Sequence, residues 1–176
     1  YGDINDVQKD FLNQIEDSGK HLLELISGLL DMAKIESGLM EIDLGVYRTR
    51  DIFKSIVSSI QPQLVKKKLK LTQLVDPTVE TIVCDMTKIK QIIINLLSNA
   101  IKYTPEQSQI TITIEKQGTN IRSKVTDTGY GIPAKDKGRV FQKFYRGENI
   151  LKVTSDGTGL GLYLVKAIIE VSGGTV

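Results

Sequence analysis

The chain has 176 residues, and its 23 basic and 21 acidic side chains leave a net charge of only +2. This balance argues against a general nucleic-acid binder, which presents a strongly basic surface. No run approaches the roughly 20 consecutive apolar residues that a membrane-spanning helix needs, and no signal peptide opens the chain. The single cysteine, Cys84, excludes an internal disulfide framework and fits a reducing compartment. We therefore expect a cytoplasmic globular protein.

The first predicted element is a long helix from Val7 to about Gly38. Its apolar stripe repeats at alternating spacings of three and four, which is typical of a helix packed lengthwise on another helix. The stripe consists of Phe11, Ile15, Ser18, Leu22, Leu25, Leu29 and Met32. Since the chain offers no second helix of similar length, we expect another chain or a segment outside this sequence to cover the stripe.

A helix and two strands are predicted next. The helix runs from Arg50 to about Lys68, because its isoleucines share one face. Residues 69–75 alternate in polarity and predict a strand, Asp76 and Pro77 predict a turn, and ETIVCD predicts a returning strand.

The second half of the chain begins with a strongly apolar helix over residues 86–104. The stretches QITITIEKQ and IRSKVTD predict two strands joined by a hairpin near Gly118. A glycine-rich turn, a polar region and a final helix over about residues 160–171 follow. Helices on a single face of these strands predict an α+β, two-layer α/β sandwich behind a long helical arm.

Paired asparagines mark the predicted helix over residues 86–104. Asn95 and Asn99 are four residues apart, so both side chains leave the same face of the helix. Their amide oxygens suit Mg²⁺, and Lys102 on the next turn could meet a phosphate. Tyr103 could stack or hydrogen-bond at the helix end. The alternative is a polar helix face on which Asn99 only hydrogen-bonds locally.

Two glycine-rich stretches could bind a ligand. Asp127 precedes Gly129 and Gly131 at the end of a strand, where a carboxylate could accept from an exocyclic amine while the glycines allow close approach of a flat ring. The alternative is an aspartate that only starts a turn. GTGLG, at residues 157–161, precedes a helix whose first N–H groups could bind an anion. It lacks the Gly-Lys-Ser/Thr of a P-loop, and no strand precedes it as in a dinucleotide fold.

The order of these stretches resembles the ATP-binding domain of sensor histidine kinases, of the GHKL or Bergerat type. The matching segments are NLLSNAIKYTP (N box), DTGYGIP (G1 box), FQKFYRG (F box) and GTGLGLYLVKAIIEVSGG (G2 box). The resemblance covers about residue 85 to the C-terminus and implies a mixed sheet covered by helices on one face. SGKHLLELISGLLDMAKIESG also resembles the second helix of the family's dimerisation and phosphotransfer domain.

The resemblance implies ATP and Mg²⁺ as cofactors and assigns roles to individual residues. Asn99 and Asn95 would hold the metal, and Lys102 and Arg146 would contact phosphate; with Asn95, these two are the residues implied in catalysis. Asp127 would accept from the adenine amino group. Phe141 and Phe144 would hold the base of an ATP lid at about residues 147–156. The further nucleotide-binding positions are Tyr103, Gly129, Gly131, Ile132, Gly157, Thr158, Gly159, Leu160 and Gly161.

The resemblance also implies partners and a division into domains. Residues 1–40 would be a partial dimerisation helix that forms a homodimer, and residues 41–176 the catalytic domain, with both chain ends cut. His21 is followed by two leucines instead of a carboxylate, so we expect it to be an ordinary helix residue. The acceptor histidine would lie outside the chain. A response-regulator receiver domain is the implied partner, with neither nucleic acid nor membrane contacted by this chain.

Hydrolysis is the main enzymatic alternative, since gyrase-type and Hsp90-type ATPases share this architecture. Those enzymes carry a glutamate as general base four residues before the metal-binding asparagine. Asn95 occupies that position here, and an amide cannot take a proton from water. This favours transfer to an imidazole over hydrolysis. A regulatory module that binds nucleotide without transferring phosphate is the alternative from another class.

Overall fold

The computed structural model describes residue 2, residues 4–147 and residues 157–176. The chain divides into two compact units, Tyr1–Met40 and Glu41–Val176. The first unit is built on one helix, α1 (Asp6–Glu36), close to its predicted bounds. Asn5 caps the helix: its side-chain oxygen accepts from the Gln8 N–H at 2.9 Å, and its own N–H donates to the Gln8 side chain at 3.0 Å. On the apolar stripe, the side chains of Phe11 and Ile15 are 61% and 67% exposed.

The described part of the second unit contains three helices and five strands besides a short 3₁₀ helix at Ala134–Asp136. In chain order these are β1 (Gly45–Arg48), α2 (Thr49–Lys66), β2 (Lys70–Val75), β3 (Thr81–Cys84), α3 (Met86–Tyr103), β4 (Gln109–Gln117), β5 (Asn120–Asp127) and α4 (Gly161–Val171).

The described strands form two sheets. β2 lies parallel to β4, with Val75 opposite Ile114, and β4 forms an antiparallel hairpin with β5. β1 pairs antiparallel with β3 in a separate two-stranded sheet, with Val46 opposite Val83. β3 was predicted as a strand that returns from β2, and this prediction is wrong about the partner of β3. β2 belongs to the larger sheet, whereas β3 pairs with β1, which lies some 35 residues earlier in the chain.

The core lies between the larger sheet and the three helices described for this unit. On β4, Ile110, Ile112 and Ile114 alternate with threonines and are buried, as expected for a strand with one covered face. The helices supply the apolar side chains of the other layer, among them Ile52, Ile56, Ile60, Ile93, Leu97, Val165 and Ile168. The mixed sheet and its helical layer confirm the predicted α+β class.

α3 lies in the middle of this layer and carries the paired asparagines. Its N-terminus is capped by Asp85, whose Oδ1 accepts from the N–H groups of Thr87 at 2.9 Å and Lys88 at 3.0 Å. The other carboxylate oxygen accepts from the N–H of Asp43 at 3.1 Å, which joins the start of α3 to the chain before β1.

Candidate functional site

The start of α4 lies beside the two asparagines of α3. Asn95 and Asn99 are half-buried, one turn apart. A Cβ atom built on Gly161, the first residue of α4, would lie 3.7 Å from Asn95 Oδ1 and 3.9 Å from Asn99 Nδ2. The glycine therefore leaves room beside both amides that any other residue would fill. The structure brings these three predicted residues together.

The N-terminus of α4 offers backbone donors at the same place. Leu160 precedes the helix, and within the described residues no side chain caps it. The N–H of Leu160 itself donates to Thr158 Oγ1 at 3.1 Å. The N–H groups of the first helical turn have no acceptor inside the helix, and the helix dipole makes this end attractive to an anion. A phosphate group fits this arrangement.

The C-terminal end of α3 adds a positive charge and a phenol. A Cβ atom on Gly157 would lie 3.0 Å from Lys102 Nζ and 3.9 Å from Tyr103 Oη. The Lys102 ammonium is 5.6 Å from the centre of the Tyr103 ring. Gly157 has φ +114°, a conformation that favours glycine. Lys102, Tyr103 and Gly157 are thus neighbours, as expected of a phosphate-binding region.

The turn after β5 packs directly on the end of α3. A Cβ atom on Gly129 would collide with the carbonyl oxygen of Tyr103 and lie 2.7 Å from Asp127 Oδ1, so only glycine fits. Asp127 Oδ1 accepts from the Gly129 N–H at 2.8 Å, which orients the exposed carboxylate. Gly131 has φ +67°, and the side chain of Ile132 is 51% exposed. An oriented carboxylate beside an exposed apolar side chain suits a heterocycle that carries an amino group.

Phe144 and Gly159 meet backbone to backbone. Phe144 has φ +59°, which is uncommon for a residue with a side chain, and that side chain is 57% exposed. Phe141 and Arg146 are half-buried. The predicted lid falls almost entirely on residues 148–156, which lie outside the described residues.

A buried carboxylate beside Tyr145 was not predicted from the sequence. Asp136 is 5% exposed, and its Oδ1 accepts from the hydroxyl of Tyr145 at 2.8 Å. The guanidinium of Arg139 lies 4.4 Å from the centre of the Tyr145 ring. The hydrogen bond to Asp136, aided by burial, raises the pKa of Tyr145 above its usual value. Nothing in the spacing of these three residues marks them as a cluster.

Clustered metal-binding side chains and membrane-spanning helices are both absent from the described part of the chain. No group of three or more histidine, cysteine, aspartate or glutamate side chains there is arranged to hold a metal ion. No described helix is long and apolar enough to cross a membrane. The amides of Asn95 and Asn99, one helical turn apart beside Gly161, are the metal-ligand candidates that the sequence predicts.

Comparison with known proteins supports the resemblance. The chain is 33% identical over 178 residues to the circadian input-output histidine kinase CikA of Synechococcus elongatus, with all of this chain and 24% of that protein covered. It thus spans about a quarter of that relative's length. Full-length ShkA in complex with AMPPNP superposes with a TM-score of 0.79 at 25% identity over 98% of this chain and 35% of that one.

A further structure and a family model complete the comparison. The histidine kinase ThkA in complex with the response regulator protein TrrA has the same fold, with a TM-score of 0.72 at 24% identity over 98% of this chain and 47% of that one. Residues 84–176 match the model of the histidine kinase-, DNA gyrase B- and HSP90-like ATPases. The chain therefore belongs to this family, and within it to the ATP-binding domains of sensor histidine kinases.

Proposed function

We propose that the chain binds Mg·ATP and transfers the γ-phosphoryl group to a histidine outside this sequence. The observation that carries the proposal is the meeting of Asn95, Asn99 and the α4 N-terminus at Gly161. Amide oxygens on one side and backbone N–H groups on the other are the donors that a magnesium-bound triphosphate needs. The proposed bounds are residues 1–40 for a partial dimerisation helix and 41–176 for the catalytic domain.

The metal would lie beside Asn95 and Asn99, and the adenine beside Asp127, in the turn that packs on the end of α3. Asn95 and Asn99 fit Mg²⁺ because they are neutral oxygen ligands that leave coordination positions for water and phosphate. Bound Mg²⁺ would neutralise charge on the phosphates. Asp127 would accept from the adenine amino group, with its orientation held by Gly129. Tyr103, between the two regions, would contact the nucleotide.

The residues at the phosphates favour transfer over hydrolysis. Asn95 occupies the position from which a glutamate would activate water, and an amide is no base. An imidazole needs no such activation because its neutral nitrogen is already a nucleophile. Catalysis would then depend on positioning and on positive charge from Lys102 and Arg146 at the transferring group. The chain's own histidine, His21, has no neighbouring carboxylate in the sequence that could orient it.

Dimerisation and relay are the proposed context of this reaction. The exposed stripe of α1, with Phe11 and Ile15 at its start, is suited to a helical bundle with a second copy. The structure of ThkA with a response regulator supports a receiver domain as the next phosphoryl acceptor. A receiver aspartate would take the group from the phosphohistidine.

The proposal is tested with ATP labelled at the γ-phosphate. The chain is incubated with Mg·ATP alone and with a separately supplied acceptor helix that carries a histidine followed by a carboxylate. We expect nucleotide binding in both cases, and acid-labile, base-stable label only on the supplied helix. Binding without any labelled helix would favour the regulatory module, and rapid phosphate release without labelling would favour an ATPase.

A further inference from the structure

The C-terminal end of α3 has to be stabilised from outside the helix. An α-helix leaves its last four carbonyl groups without donors of its own. Thr104, directly after α3, is extended, with φ −100° and ψ 133°, and the next residue is Pro105, which has no N–H. The backbone therefore cannot close this end with the usual left-handed turn. Yet the last two residues of the helix, Lys102 and Tyr103, belong to the proposed nucleotide site.

Lys67, the residue after α2, supplies the missing donors. Its Nζ donates to the carbonyl of Ile101 at 2.9 Å, to that of Lys102 at 2.8 Å and to that of Thr104 at 3.1 Å. An ammonium group has three N–H donors, so each carbonyl can receive one. The positive charge also lies at the negative end of the α3 dipole. Lys67 is half-buried, and its own carbonyl accepts from the N–H of Gln107 at 3.2 Å.

The carbonyl of Tyr103, which Lys67 does not bind, accepts instead from the glycine turn after Asp127. Tyr103 O accepts from the N–H of Tyr130 at 3.2 Å and lies against Gly129. Four successive carbonyls, of residues 101–104, are therefore held by two groups: Lys67 takes three, and the glycine turn after Asp127 takes one. The position of this turn relative to Lys102 depends on where the end of α3 is held.

We propose that Lys67 is a positioning residue for nucleotide binding. It acts through the α3 carbonyls and fixes where Lys102, Tyr103 and the glycine turn lie relative to one another. This inference rests on the proposed function, since it names a residue that orients the same ATP site. It also assigns different roles to three adjacent lysines, because Lys66 is exposed and Lys68 follows with φ +53°.

The test compares Lys67→Met with Lys66→Met in the full chain. Each variant loses one positive charge at neighbouring positions, so a general attraction to the phosphates changes equally in both. Mg·ATP affinity is measured by titration calorimetry at a temperature at which circular dichroism shows every variant to be folded. We expect Lys67→Met to weaken Mg·ATP binding about tenfold, which is at the lower end of the losses seen when a group that orients a direct ligand is removed. The affinity of Lys66→Met should stay within about twofold of that of the wild type.

Further variants separate positioning from a purely structural role. Lys67→Arg keeps several donors and is expected to restore most of the affinity. A structural role alone would lower the melting temperature of Lys67→Met but leave the affinity of the folded protein unchanged, and this result would overturn the proposal. Equal losses in Lys66→Met and Lys67→Met would overturn it too. Failure of the wild-type chain to bind ATP would instead contradict the proposed function.

A milder substitution covers the case in which Lys67→Met does not fold. Lys67→Gln keeps an amide donor for the α3 carbonyls, and we expect its affinity to lie between those of the wild type and a tenfold loss. Wild-type affinity in a folded but less stable Lys67→Gln protein would contradict a positioning role.

Discussion

Gly159 lies so close to Phe144 that a Cβ atom on the glycine would come within 2.7 Å of the carbonyl carbon of Phe144. Both residues have positive φ, +70° for Gly159 and +59° for Phe144. The contact joins the chain before residue 148 to the chain after residue 156. It therefore sets the start of α4 relative to Arg146, the proposed phosphate contact.

A methyl group at this contact should be strongly destabilising. We expect Gly159→Ala to lower the free energy of unfolding by about 3 kcal/mol, because the new atom collides with backbone and the positive φ is strained. Gly118→Ala is the matched control: its φ is +63°, but nothing lies within 4 Å of the added atom. The control should lose about 1 kcal/mol. Denaturant unfolding compares the two, and equal losses would show that the Phe144 contact is unimportant.

A carboxylate at position 95 should favour water as the phosphoryl acceptor. We expect Asn95→Glu to raise steady-state ATP hydrolysis by about tenfold or more, since a general base contributes at least that much when well placed. Asn95→Gln introduces similar bulk without a base and should give no increase. Phosphate release is measured for both. A rate in Asn95→Glu at or below that of the wild type would contradict the role given to the amide.

Loss of the second asparagine should weaken the magnesium dependence of ATP binding. For Asn99→Ala we expect the gain in affinity on adding Mg²⁺ to fall by about tenfold or more, as when a metal loses a protein ligand or its support. Ser98→Ala is the neighbouring control, because Ser98 Oγ only donates to the Asn95 carbonyl at 3.2 Å. An unchanged magnesium effect in Asn99→Ala would argue against this metal site.

The hydrogen bond of Tyr145 to Asp136 should stabilise the folded protein at neutral pH and lose this effect at alkaline pH. Its hydrogen bond to Asp136 raises its pKa in the folded protein above the usual value near 10. The folded state therefore holds the phenol proton more tightly than the unfolded state does. The stabilisation is complete below about pH 10 and is lost as the pH rises through the folded pKa.

The variant Tyr145→Phe isolates this effect. We expect it to be less stable than the wild type at pH 8 and the difference to shrink above pH 10. Tyr130→Phe removes one phenol from an exposed position and is the control for general effects of alkaline pH. Unfolding is followed by circular dichroism across the pH range, and a constant difference between Tyr145→Phe and the wild type would contradict the hydrogen-bond explanation.

Local signals predicted most of the elements. The hairpin of β4 and β5 was predicted because its strands alternate in polarity and Gly118 lies between them; the structure gives Gly118 a positive φ. The partner of β3 was not, because alternation identifies a strand but not its neighbour. Pairing of β3 with Gly45–Arg48 depends on long-range packing, and four residues give too short a pattern to mark β1 as its partner.

The candidate site was predictable where helix periodicity or glycine chemistry decided the geometry. The spacing of Asn95 and Asn99 placed both on one face, and the structure adds that Gly161 meets them. The roles of Lys67 and Asp136 were not predicted because they depend on contacts that the local sequence pattern does not show. The sequence KKK is typical of a solvated run, and only the three-dimensional path of α3 shows that its middle lysine meets helix carbonyls.

The parallel pairing of β2 with β4 has a consequence for synthesis on the ribosome. Val75 finds its partner Ile114 only after β3 and the whole of α3 have been made. Until then the growing chain carries β2 as an unpaired strand and α2 with an uncovered apolar face, and both invite association with other chains. The unit Glu41–Val176 therefore cannot complete its folding step by step from its N-terminal end. Its first half stays incompletely folded, and needs protection from aggregation, until the segment that contains the proposed ATP site has been synthesised.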